Sequence, residues 1–165
     1  MGNNWVMLEN FQALIQDKLK RTRTESSLNH MLLEDYLMSQ QDFDNGLKTR
    51  TAVMGESFVQ RAQNNTVPFT QPLQDWINEH AWGSTWQREG VLTRRERSLV
   101  TIAFLTALKS PTELKGHIRG AINNGASIEE IQEVLLHSLP YCGAPAAQEA
   151  FRAALEVIQD MQSNP

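Results

Sequence analysis

Cysteine is nearly missing from this 165-residue chain: Cys142 stands alone. One chain therefore closes no disulfide, holds no CxxC redox pair and builds no multi-cysteine zinc site, which points to a reducing cytoplasmic setting. Long apolar runs are also lacking. No stretch approaches the roughly 18 apolar residues of a membrane span, and the N-terminus has neither the basic segment nor the cleavage site of a secretory signal. Val6 stands where a myristoylation signal beginning at Gly2 calls for Ser or Thr. Charge of one sign is scarce in excess: 19 acids against 15 bases leave a net charge of -4. That argues against nucleic acid or an anionic membrane as the main partner. A Gly-rich phosphate loop, HExxH and GxSxG are all absent.

What the chain does have is helical periodicity almost throughout, with 41% hydrophobic residues for a core. No run keeps the period-two alternation of a half-buried strand, so an all-α fold is expected. Trp5, Leu8, Ile15 and Leu19 mark an amphipathic first helix. Ser26-Ser27 are placed to cap a second helix with Leu28, Met31, Leu32 and Leu37 on its apolar side, and Gln40-Gln41-Asp42 reads as its end. A third helix is expected from Gly46 to about Gln63, and another from Phe69 through Trp82, with a loop from Gly83 to Gly90.

Three helix starts carry capping-box spacing: Thr93 with Glu96, Ser110 with Glu113, and Ser127 with Glu130. Leu99 to Leu105 is apolar on nearly every side and reads as a central, buried helix. Asn124-Gly125 supplies a left-handed stop, the helix from Ser127 meets Pro140 and Gly143, and a last helix runs from Ala144 to about Met161.

Glu113 and His117 lie four apart, so they share one helical face. Imidazole titrates near neutrality, and a neighbouring carboxylate can orient it or raise its pKa, which suits general acid/base work. Glu113 has a second reading as a capping acid. Of the other histidines, His30 and His80 look like surface residues, whereas His137 beside Leu136 reads as a core histidine. Arg88, Arg94, Arg95 and Arg97 gather near Trp82 and Trp86. Guanidinium groups bind carboxylates bidentately and tryptophans supply apolar walls, so a small di- or tricarboxylate site is chemically sensible. The alternative is ion pairing with Glu89 or Glu96 over two core tryptophans. No metal set is indicated, and Cys142 reads as a buried, inert thiol.

These residues bring out a resemblance. Arg50 and Gly55, Ala81-Trp82-Gly83, Trp86-Gln87-Arg88, Arg94 to Leu99, Glu113 to His117, Asn123-Asn124-Gly125, Glu129-Glu130-Ile131 and Tyr141 to Ala147 resemble the carboxymuconolactone decarboxylase family in order and density. The resemblance implies an alkylhydroperoxidase-like helical bundle over residues 43–162, with residues 1–42 as an extra N-terminal helical segment. In the peroxidase branch of that superfamily two thiols precede the histidine. Ser110 and Glu113 stand at those positions here, so disulfide-based peroxide reduction has no electron store.

The family reaction implied is cofactor-free loss of carbon dioxide from gamma-carboxymuconolactone, giving beta-ketoadipate enol-lactone in protocatechuate breakdown. His117 is then expected to donate or relay a proton and Glu113 to orient it. Arg50, Arg88 and Arg97 are expected to hold carboxylates or an oxyanion, with Trp82 and Trp86 shaping the pocket. The resemblance also implies a homo-oligomer, trimer or hexamer, with the first helices as candidate contacts. Other readings are a divergent member acting on another small carboxylate or lactone, a weak peroxidase, or a silent oligomeric binding protein.

Overall fold

The structure, a computed structural model, describes residues 27–28, 30–31, 39–88 and 90–163. The chain divides into two compact units, Met1–Gln41 and Asp42–Pro165. The expected first helix, with Trp5 to Leu19, lies outside the described residues, as do Leu32 and Leu37 of the second. The candidate site belongs to the second unit, in which every regular element described is helical. The fold is all-α.

Residues 42–54 are helical and form α1. The expected break at Gln40-Gln41-Asp42 is absent, and Gly46 lies inside the helix rather than at its start. A side chain at Gly46 has no room: a Cβ there would stand 1.8 Å from the carbonyl oxygen of Asn78. The glycine is therefore used for close backbone approach, which overrides its poor helix propensity. The real break comes at Gly55, whose φ of 88° is left-handed, and α2 (Glu56–Asn64) follows.

α3 (Gln71–Trp76) opens with Pro72 near its start and passes directly into a π-helical turn, Ile77–Trp82. The single helix expected over this stretch is thus a junction of two windings. A short 3-10 turn, Thr85–Gln87, occupies the expected loop.

The C-terminal half packs α4 (Arg94–Ala107), α5 (Pro111–Asn123), α6 (Ile128–Cys142) and α7 (Ala144–Ser163) around one core. Ile102, Leu114, Ile118, Ile131 and Leu135 fill it, and a face of small residues on α7, Ala146, Ala150, Ala153 and Ala154, lets the last helix come close. The expected capping boxes open α4 and α6: Thr93 accepts from the Glu96 amide and Ser127 from the Glu130 amide, with the glutamates bonding back. The third is not formed. Ser110 occupies the cap position of α5 but its side chain makes no capping bond. Its ψ of 71° departs from the extended value near 160° found at Thr93 and Ser127.

Two apolar expectations need correction. α4 buries Ser98, Ile102 and Thr106, while Val100 and Phe104 are exposed, Phe104 by 64%. Hydroxyls can occupy the buried face because each returns a bond to the carbonyl four residues back, Ser98 to Arg94 and Thr106 to Ile102. In α6 the helix continues past Pro140 to Cys142 and stops at Gly143, φ 80°. His137 is exposed there, tilted against Tyr141, and Cys142 is only half-buried.

Candidate active site

A second core, Val53, Met54, Val59, Trp82 and Trp86, forms from α1, α2 and the π-turn with its successor. α5 serves both cores. Leu114, Ile118 and Ala121 face the four-helix core, whereas Gly116 and Gly120 lie against Phe58, Met54 and Val53. A Cβ at Gly116 would meet Phe58 at 2.9 Å, and one at Gly120 would meet the Met54 sulfur at 3.1 Å. These glycines bring α5 close to α1, and Asn123 adds a side-chain bond to the Val53 carbonyl, 3.2 Å.

His117 sits between those glycines in sequence and stacks on Trp82. The two ring planes are 2° apart with centroids separated by 6.2 Å. Trp82 in turn stacks on Trp86, 4.8 Å between centroids. Burial pushes the His117 imidazole down to a pKa of about 4, the positive charge of Arg50 pushes in the same direction, and Glu113 opposes them. His117 is thus neutral at pH 7. No hydrogen bond or ion pair joins it to Glu113 among the described residues. Glu113 is exposed, and it neither caps α5 nor orients the imidazole by direct contact.

Arg50 lies one helical turn beyond Gly46 on α1 and is only 8% exposed. Its Nη1 donates to Gln74 Oε1 and to Asn78 Oδ1, both at 3.0 Å. Its Nε is buried without a partner among the described residues. A buried donor left unpaired costs ~1–3 kcal/mol, and more when charged. Desolvation holds the guanidinium pKa below its ordinary value, a direction that leaves an arginine protonated at neutral pH.

Neither Gln74 nor Asn78 stands out in sequence, because polar amides on a helix normally mark a solvated face. The available signal is spacing: residues 74, 78 and 82 step by four toward a buried tryptophan. Gln87 was also hidden. Its Nε2 donates to the Asn45 carbonyl at 3.0 Å and to Thr49 Oγ1 at 2.5 Å, which fastens the Trp86 turn to α1.

The expected arginine group separates. Arg88, Arg94 and Arg97 line a cavity of about 240 Å³ with Trp86, Leu92 and Thr93. Arg97 Nη2 donates to the Arg88 carbonyl, so it also holds the loop. Arg95 points elsewhere and pairs with Glu130 of α6. The cavity walls include neither His117 nor Arg50; the Trp82–Trp86 stack connects the two clusters. Among the described residues no three His, Cys, Asp or Glu side chains converge as metal ligands. The arrangement offers a neutral imidazole, one buried guanidinium and a cationic cavity mouth, a set suited to anions.

Residues 71–156 match the Carboxymuconolactone decarboxylase family. The chain is 46% identical over 119 residues to a nitrosuccinic acid decarboxylase of Metarhizium robertsii, covering 72% of this chain and 82% of that protein. It is 43% identical over 126 residues to a 4-carboxymuconolactone decarboxylase of Acinetobacter baylyi, covering 76% and 93% respectively.

Proposed function

The chain belongs to the carboxymuconolactone decarboxylase family, and we propose that it decarboxylates a small polycarboxylate without a cofactor, with gamma-carboxymuconolactone of protocatechuate breakdown as the substrate. The observation that carries this reading is Arg50: a buried guanidinium bonded on one side to neutral amides and, among the described residues, unpaired at Nε. Such a group favours a carboxylate ligand, which repays its desolvation with charge-assisted bonds.

In the lactone, the departing carboxylate is vinylogous to the ring carbonyl. Cleavage of the C–C bond sends its electron pair toward that oxygen as a furan-like dienolate, and one proton must then return to carbon. The protein must hold the acid, stabilise the oxyanion and supply the proton. Arg50 holds a carboxylate or the oxyanion, Arg88 and Arg97 attract the second acidic group at the cavity, and Trp82 and Trp86 wall off water.

His117 returns the proton. Unprotonated in the free protein, it becomes a better proton carrier once an anion sits beside Arg50, because the added negative charge offsets the field that disfavours imidazolium. Glu113, whose charge favours imidazolium, assists through space. Charging of the histidine is thereby coupled to substrate binding.

The identity to a nitrosuccinic acid decarboxylase supports a second substrate reading. Nitrosuccinic acid and carboxymuconolactone are both small polyacids carrying an electron-withdrawing group. Carbon dioxide release should be followed with each. Turnover of gamma-carboxymuconolactone is the expected result; turnover of nitrosuccinic acid alone would replace the substrate assignment, and turnover of neither would overturn it.

The exposed apolar residues Val100, Phe104 and Leu139 support the further reading of a homo-oligomer, trimer or hexamer. No helix among the described residues is long and apolar enough to cross a membrane. A cytoplasmic location fits the lone cysteine.

A further inference from the structure

We propose that Gln74 and Asn78 form a neutral amide clamp that keeps Arg50 an uncompensated cation, making Asn78 a positioning residue that determines selectivity for carboxylate substrates. The inference rests on the reading of Arg50 as the carboxylate anchor.

Buried charges are ordinarily paired with opposite charges. Acids are at hand: Asp75 and Glu79 each follow one of the two amides in sequence and repeat their spacing of four. Yet the helix turns the amides toward Arg50 and the acids away from it. Asp75 accepts a bond from Gln71 at 2.7 Å on the exposed side, and Glu79 lies beside His80. Among the described residues, only neutral oxygens reach the guanidinium.

The amides also select an edge. Both donors of Nη1 are occupied, one by each amide. The Nε and Nη2 edge makes no bond with a described residue, and Nε is buried. That edge has the fork geometry that receives both oxygens of one carboxylate. Asn78 is held in place twice over, since its carbonyl oxygen receives the Gly83 amide at 2.8 Å within the π-turn and lies against the Cβ-free Gly46. Side chain and backbone of one residue thus set the guanidinium and the helix that carries it.

The test replaces an amide with its acid. Asn78→Asp and Gln74→Glu keep size and shape but give Arg50 an internal counter-ion. Succinate serves as the binding probe, read by titration calorimetry, so binding is judged independently of turnover. Wild type is expected to bind succinate, and each folded acid variant to bind it at least tenfold more weakly. With a substrate that is turned over, KM should rise at least tenfold while kcat changes much less. The His117 titration, followed by NMR, should move upward in the variants because the Arg50 field is neutralised, a change that a packing role would not produce.

Succinate binding of equal strength in wild type and a folded acid variant would overturn the clamp, as would no binding by wild type. Should Asn78→Asp not fold, Gln74→Glu, at the less buried partner, decides alone. Succinate binding lost in the variants, together with failure to decarboxylate either tested acid, would support the clamp and reject the substrate assignment.

Discussion

The indole of Trp82 and the imidazole of His117 lie within 2° of parallel, so the π-turn that carries the tryptophan fixes the plane in which the histidine presents its nitrogens. Removing the imidazole and removing its support should therefore have different signatures. His117→Ala should lower turnover at least about a hundredfold with little loss of fold, in line with loss of a general acid. Trp82→Ala should cost about 3–5 kcal/mol of stability as a buried aromatic truncation. Steady-state kinetics beside urea denaturation separates them; a folded His117→Ala protein with normal turnover would remove the histidine from the chemistry.

Acid should destabilise the protein through His117. Its pKa falls from 6.5 to about 4 on folding, so the unfolded chain binds this proton more readily than the folded one. The stability contribution is complete above pH 6.5 and is lost as pH falls toward 4, with an upper limit on the order of 3 kcal/mol at about 1.4 kcal/mol per pKa unit. His117→Gln should flatten that part of the stability profile. An unchanged profile between pH 7 and 4 would contradict the burial of this imidazole.

Gly46→Ala places a methyl 1.8 Å from the Asn78 carbonyl oxygen. Backbone cannot yield as a flexible side chain can, so the loss should reach or exceed the ~1–3 kcal/mol typical of overpacking. The separation of α1 from the π-turn should also displace Arg50 from its amides. Thermal denaturation and the affinity for succinate check both consequences, and a fully stable Gly46→Ala protein would refute the close approach.

Caps offer an internal control. Ser127→Ala and Thr93→Ala should each cost about 1 kcal/mol. Ser110→Ala, which removes no capping bond, should stay within ~0.5 kcal/mol of the parent. Equal losses at all three sites, measured by chemical denaturation, would show that α5 is capped after all.

That contrast also shows how far local sequence carries. Thr93-Glu96, Ser127-Glu130 and Gly125 act through bonds and dihedrals within a few residues, so their roles were legible. As candidates, His117, Trp82, Trp86, Arg50, Arg88 and Arg97 were legible as residue types and through family resemblance. Their partition into an inner guanidinium–imidazole cluster and an outer cationic cavity was not, because it depends on how α1 meets the π-turn. The bonding roles of Gln74, Asn78 and Gln87 were hidden for the same reason: an amide's partner is decided by tertiary contact. The exposed Phe104 misled in the other direction, since apolar sequence alone does not say which side of a helix finds a neighbour.

The π-turn at Ile77–Trp82 gives the site an adjustable rotational phase. In a continuous α-helix, each step of four residues advances about 40° around the axis. The wider turn winds less per residue and takes that advance back, which keeps Gln74, Asn78 and Trp82 in one stripe. Deleting a single residue between Asn78 and Trp82 would restore ordinary winding and set the two three positions apart, about 60° around the axis. Indole and amide would no longer address the same space. The spare residue in that turn thus works as a register setting: one insertion or deletion, with no change in any catalytic side chain, suffices to re-aim the aromatic wall and to open a different substrate shape.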